Sequence, residues 1–138
     1  LVLVAGAVFG GYKIRRKWLP AHLIAQARVF LNKGENKDAA LTLRRALQID
    51  SSNANATELM AELTGRVGAP ETVLWRRRVA QLHPDSDADK LRWVAAALEH
   101  HQFGVAKQAL ETIPGERRNT AEYHASAGAA AAPASGTV

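Results

Sequence analysis

Three short runs carry the side chains whose types could do chemistry. Glu99, His100 and His101 are adjacent and offer one carboxylate and two imidazoles. Zinc-binding helices place two histidines four residues apart so that both reach one ion, whereas neighbouring residues diverge by about 100° around a helix. With no cysteine in the chain and no spaced third ligand, this run reads as a turn between helices, and no metal or other cofactor is expected. Glu58 and Glu62 lie one helical turn apart. Paired carboxylates act as acid and base only where their surroundings separate their pKa values. No apolar pocket that would enclose these two can be read from the sequence, so they read as a solvated or groove-lining acidic face. The third run, Trp75-Arg76-Arg77-Arg78, is a candidate anion patch for an acidic peptide, phosphate or polysaccharide. The competing and favoured reading is a solvated face whose stems cover apolar surface, with Glu71 and Asp85 as partners. No phosphate-cradling glycine loop and no Ser-His-Asp grouping can be assembled by spacing. Neither an enzyme nor a small-molecule substrate is expected.

Charge narrows the partner classes further. The chain has 18 basic and 13 acidic residues, a net charge of +5 and a pI near 10.0. Lys13, Arg15, Arg16 and Lys17 all precede Pro20, in a stretch that holds no acid. The rest of the chain is close to neutral, so no nucleic-acid partner is expected. Residues 1–18 read as the C-terminal part of a transmembrane anchor with a basic flank, since the apolar run is shorter than the roughly 20 residues that span a bilayer. Tyr12 and Trp18 suit a membrane interface. Gly6 and Gly10 have the spacing of a helix-packing motif, carried here by one short segment. The abrupt start at Leu1 and the unpartnered segment near Val138 give the expectation of a fragment of a longer protein.

The elements that must position these runs are all helical. Gly34 and Gly68 are helix stops, Asp50-Ser51-Ser52-Asn53 is turn chemistry, and Pro84 and Pro114-Gly115 end two further segments. Helices are predicted at 20–33, 35–49, 54–67, 70–83, from Asp87, over 103–112 and from Asn119, with Pro20 placed in the first turn of the first one. Ala39, Leu43 and Ala46 form one apolar stripe. Near-equal steps lead from Ala39 to Thr72 and on to Ala106, and from Gly34 to Gly68. A recurrence at about 34 residues predicts a solenoid of paired helices. Its units divide at about 20–53, 54–86 and 87–118, with a partial unit at 119–138.

On Phe30, Gly34, Ala39, Leu43 and Ala46, and on their weaker echoes Gly68, Pro84, Ala106 and Leu110, the chain resembles the tetratricopeptide repeat family. It departs from that pattern at Arg76, where a large apolar residue is usual, and at His101, which replaces a glycine. The resemblance implies an all-α, right-handed superhelix behind the transmembrane helix, with a concave groove lined by the first helix of each pair. The implied groove residues are Ile24, Arg28 and Leu31, then Asn55, Glu58 and Glu62, then Leu91 and Ala95. That mixed surface disfavours capture of a C-terminal carboxylate by a cationic clamp. The implied function is a membrane-anchored scaffold or adaptor that binds a protein or peptide. The alternative is an accessory repeat module of a larger envelope or polysaccharide-synthesis enzyme. The implied location is the bacterial inner membrane, and the resemblance favours repeats facing the periplasm. By contrast, Lys13 to Lys17 after the apolar run would by the positive-inside tendency place them in the cytoplasm.

Overall fold

A computed structural model describes the backbone of residues 2–131 and the side chains of residues 18–131. All regular structure among them is helical. The elements are α1 (Val2–Lys33), α2 (Asn36–Ile49), α3 (Ala54–Arg66), α4 (Thr72–Leu82), α5 (Asp87–Glu99), α6 (Phe103–Glu111), a 3-10 turn at Gly115–Arg117, and α7 (Ala121–Ala131). The predicted boundaries fall close to these, with one exception. α1 does not begin at Pro20 but runs through it. Pro20 has no N–H to offer the carbonyl one turn earlier, which normally favours a helix start. Here the preceding residues continue the helix, and Pro20 itself is buried. The anchor expected over residues 1–18 lies, apart from Trp18, on side chains outside the described ones. Among the described residues no helix is long and apolar enough to cross a membrane.

Two kinds of turn recur along the chain. At the first, the chain enters the left-handed region at Gly34 (φ 76°), Gly68 (φ 63°) and His101 (φ 55°). Each is part of the same cap. Gly34, Gly68 and His101 donate N–H bonds to Leu31, Gly65 and Leu98, and the next residues Glu35, Ala69 and Gln102 reach back to Phe30, Thr64 and Ala97. This pairing satisfies two carbonyls that a helix end otherwise leaves open. Glycine adopts the conformation freely, whereas a residue with a Cβ carries a cost of about 1–2 kcal/mol.

The second kind caps a helix start. Asn53 Oδ1 accepts from Ala56 N at 3.0 Å, Ser86 Oγ from Asp89 N at 3.2 Å, and Thr120 Oγ1 from Tyr123 N at 3.2 Å. Each such N-cap contributes about 1 kcal/mol. The carbonyls of the same three residues accept from Thr57, Lys90 and His124. Asn53, Ser86 and Thr120 are almost evenly spaced along the chain, at the same period as the left-handed turns.

The chain divides into two compact units, Leu1–Leu63 and Thr64–Val138. In the first, α1 packs on α2. Leu23, Ala27 and Leu31 of α1 and Ala39, Leu43, Ala46 and Leu47 of α2 are buried. Small Ala27, Ala39 and Ala46 have no exposed surface, which lets backbones approach closely. In the second unit α4 packs on α5, α5 on α6 and on α7, and α6 on α7. Its core joins Val73, Trp93, Val94, Ala97, Ala106, Leu110 and Ile113, with Tyr123, Ala127 and Ala130 of α7 half-buried against them. Ala131, the last residue of α7, is exposed.

Candidate functional site

Of the predicted groove residues, the structure brings four together. Arg28 of α1 faces Asn55, Glu58 and Glu62 of α3 across a cleft of about 260 Å³, with Leu59 as its apolar floor. Helical spacing explains the α3 side, because residues 55, 58 and 62 are separated by three and four positions and share one face. The Asn53 cap fixes where that face begins. The cleft therefore combines one guanidinium, one carboxamide and two carboxylates over a leucine. It can hold an extended chain by hydrogen bonds and charge pairing.

Ile24 and Leu31 do not line it. They are 8% and 5% exposed and belong to the core. The reason is angular: at about 100° per residue, Leu23, Ala27, Leu31 and Ile24 occupy one arc of about 100°, and Arg28 lies about 40° beyond its edge.

The predicted groove residues of α5 lie in the second unit. Leu91 is half-buried and Ala95 exposed. Leu91 lines a smaller cleft of about 130 Å³ between α5 and α7, together with Asp87, Ala88, Ile113, Arg117, Thr120, Glu122 and Tyr123. Counted from their caps, Asn55, Ala88 and Glu122 hold the same register, as do Glu58 and Leu91. Each cleft thus draws on a helix that follows the same kind of cap.

Behind the second cleft is an ionic network that sequence reasoning missed. Asp87 bridges the side chain of Lys90, which is almost fully buried, at 3.5 Å and Arg117 at 3.5 Å. Arg117 also donates to the carbonyl of Asp85 at 3.3 Å. In the same helix start Asp89 contacts His83 Nδ1 at 3.0 Å and Arg92 Nη1 at 3.0 Å. Burial pushes the Asp89 carboxyl up, and this is the largest single influence. Hydrogen bonds from Ser86 and His83 and the charges of Arg92 and His83 together outweigh it, so Asp89 titrates below the ordinary carboxylate range. An ionised carboxylate only accepts, so His83 Nδ1 is the donor. The available signal was Ser86-x-x-Asp89, a capping-box spacing.

The Arg76–Arg78 run does not converge on one point. The Arg77 guanidinium lies 5.8 Å from the Trp93 ring centre and that of Arg78 lies 5.7 Å from Trp75, both within cation–π range. Arg76 is half-buried at the position that corresponds to Leu43. His100 caps α5 and His101 forms the left-handed turn after it, as the turn reading expects. No group of three or more potential metal ligands is assembled among the described residues. No family model matches the chain, and no curated protein matches it.

Proposed function

We propose that this chain is a helical-repeat scaffold of the tetratricopeptide type, tethered at the membrane, and that it binds a peptide segment of a partner protein. The observation that carries the reading is the recurrence of two turn motifs in register. Left-handed caps stand at residues 34, 68 and 101, and side-chain N-caps at 53, 86 and 120. Solenoids of paired helices repeat both turns at a fixed period, and their first helices present a continuous binding face. The cleft between α1 and α3 is the proposed recognition site, with Arg28, Asn55, Glu58 and Glu62 as contact residues. Affinity would concentrate in Arg28 and in the apolar floor rather than spread over the whole face. The basic, apolar segment at residues 1–18 supports the tether to a bacterial inner membrane.

The test is site-specific photo-crosslinking in the native host. A photoreactive residue at Asn55 should trap one discrete partner, and one at Lys107, an exposed position on α6, should not. Equal labelling from both positions, or no adduct from Asn55, would overturn the proposal.

A further inference from the structure

Two large apolar side chains stand exposed at the N-terminal end of the described surface: Trp18 is 77% and Leu19 50% exposed. They directly follow the segment containing Lys13, Arg15, Arg16 and Lys17, and the first acid in the chain is Glu35. An apolar pair beside concentrated positive charge matches an anionic phospholipid surface, which attracts basic segments and takes amphipathic tryptophan at headgroup depth. The helix that bears this pair is the same α1 that packs on α2 and carries Arg28, and it runs through Pro20 without interruption. Pro20 is buried, so the junction is packed rather than a free linker.

We infer that Trp18 and Leu19 make contact with an anionic lipid surface, and that α1 conveys this contact into the first helical pair without a flexible joint. The inference rests on the membrane part of the proposed function, but it requires no bilayer span. At 1.5 Å per residue, Arg28 stands no more than about 15 Å along the axis from Trp18. The partner segment is then one that lies close to the membrane surface, such as the juxtamembrane stretch of another membrane protein.

The chain has no cysteine, so single probes can be placed without background. The full chain would carry a fluorophore at Ala21→Cys, Gln26→Cys or Lys33→Cys, three exposed positions of α1, and be mixed with phosphatidylglycerol vesicles bearing a nitroxide on the headgroup. Quenching should fall several-fold from position 21 to position 33, across about 18 Å of helix. Trp18→Ser should weaken the quenching at position 21 several-fold, whereas Leu41→Ser, at an exposed site on α2, should leave it unchanged. Equal quenching at all three positions would mean a helix lying flat or hinged, and would overturn the fixed mount. Insensitivity to Trp18→Ser would overturn the assigned contact. Failure of the chain to float with the vesicles would overturn the membrane reading itself and leave the peptide-binding cleft to be judged by crosslinking.

Discussion

The two clefts share a few positions counted from their helix caps, Asn55 with Ala88 and Glu122 and Glu58 with Leu91, and they treat charge in opposite ways. Between α5 and α7, Asp87 and Arg117 bind each other and Asp87 also holds the buried Lys90. Arg118 lies 6.0 Å from the ring centre of Tyr123, which lines the same cleft. Between α1 and α3, Arg28, Asn55 and Glu58 are exposed around a larger opening. One set of positions thus braces the structure and the other faces outward. Asp87 and Lys90 stand one and four residues after their cap, whereas Asn55 and Glu58 stand two and five after theirs. The proposed recognition role rests on what each side chain already touches.

That contrast can be broken by mutation. Asp87→Ala should cost about 2–3 kcal/mol, because it leaves the Lys90 ammonium buried without its partner, whereas Glu58→Ala should stay within about 0.5 kcal/mol. Urea unfolding of both variants checks this, and similar losses would erase the distinction between the clefts. Asp89→Asn should cost about 2 kcal/mol through lost charge-assisted hydrogen bonds. It should also remove a component of the acid sensitivity. The folded pKa of Asp89 lies below the ordinary aspartate value of 3.8, so its contribution is complete above that value and disappears as pH falls through the folded pKa. The difference in stability between parent and Asp89→Asn should therefore narrow as pH falls through that range. A constant difference across acid pH would contradict the assigned network.

Smaller effects test the turns. Gly34→Ala should cost about 1–2 kcal/mol, because a Cβ at φ 76° is strained. The space around Gly34 is open, so the backbone conformation and not a clash sets that cost. His101→Gly should do the reverse and stabilise by up to about 1 kcal/mol, read as a higher melting temperature. Asn53→Ala and Ser86→Ala should each cost about 1 kcal/mol. If only one cap mattered, the two would not be equivalent turns.

The helices were legible because their punctuation is chemical: glycine at left-handed turns, Asn, Ser or Thr at N-caps, proline near helix ends. Pro20 misled because a proline in the first turn and one inside a longer helix leave the same local mark, and what precedes it decides. The cleft was legible in part. Arg28, Asn55, Glu58 and Glu62 could be placed on a face by helical spacing, but Ile24 and Leu31 sit close to the edge of the buried arc, and only packing against α2 separates core from surface there. The network of Asp87, Asp89, Lys90 and Arg117 was not legible, because Arg117 joins it from a distant part of the chain. Pairing between segments so far apart leaves no local pattern. The contacts of Arg77 and Arg78 with Trp93 and Trp75 were hidden for a related reason: a run of arginines looks the same whether it faces solvent or lies over aromatic rings.

The most direct measurement is a peptide-array comparison of the full chain with two charge-reversal variants, Arg28→Glu and Arg117→Glu, scored only on protein confirmed as folded. Arg28→Glu is expected to change which peptides bind and to shift the preference away from acidic residues. Arg117→Glu should lower stability but leave the bound set the same. If the bound set is unaltered by Arg28→Glu, or changes equally with both variants, the cleft between α1 and α3 is not the recognition site.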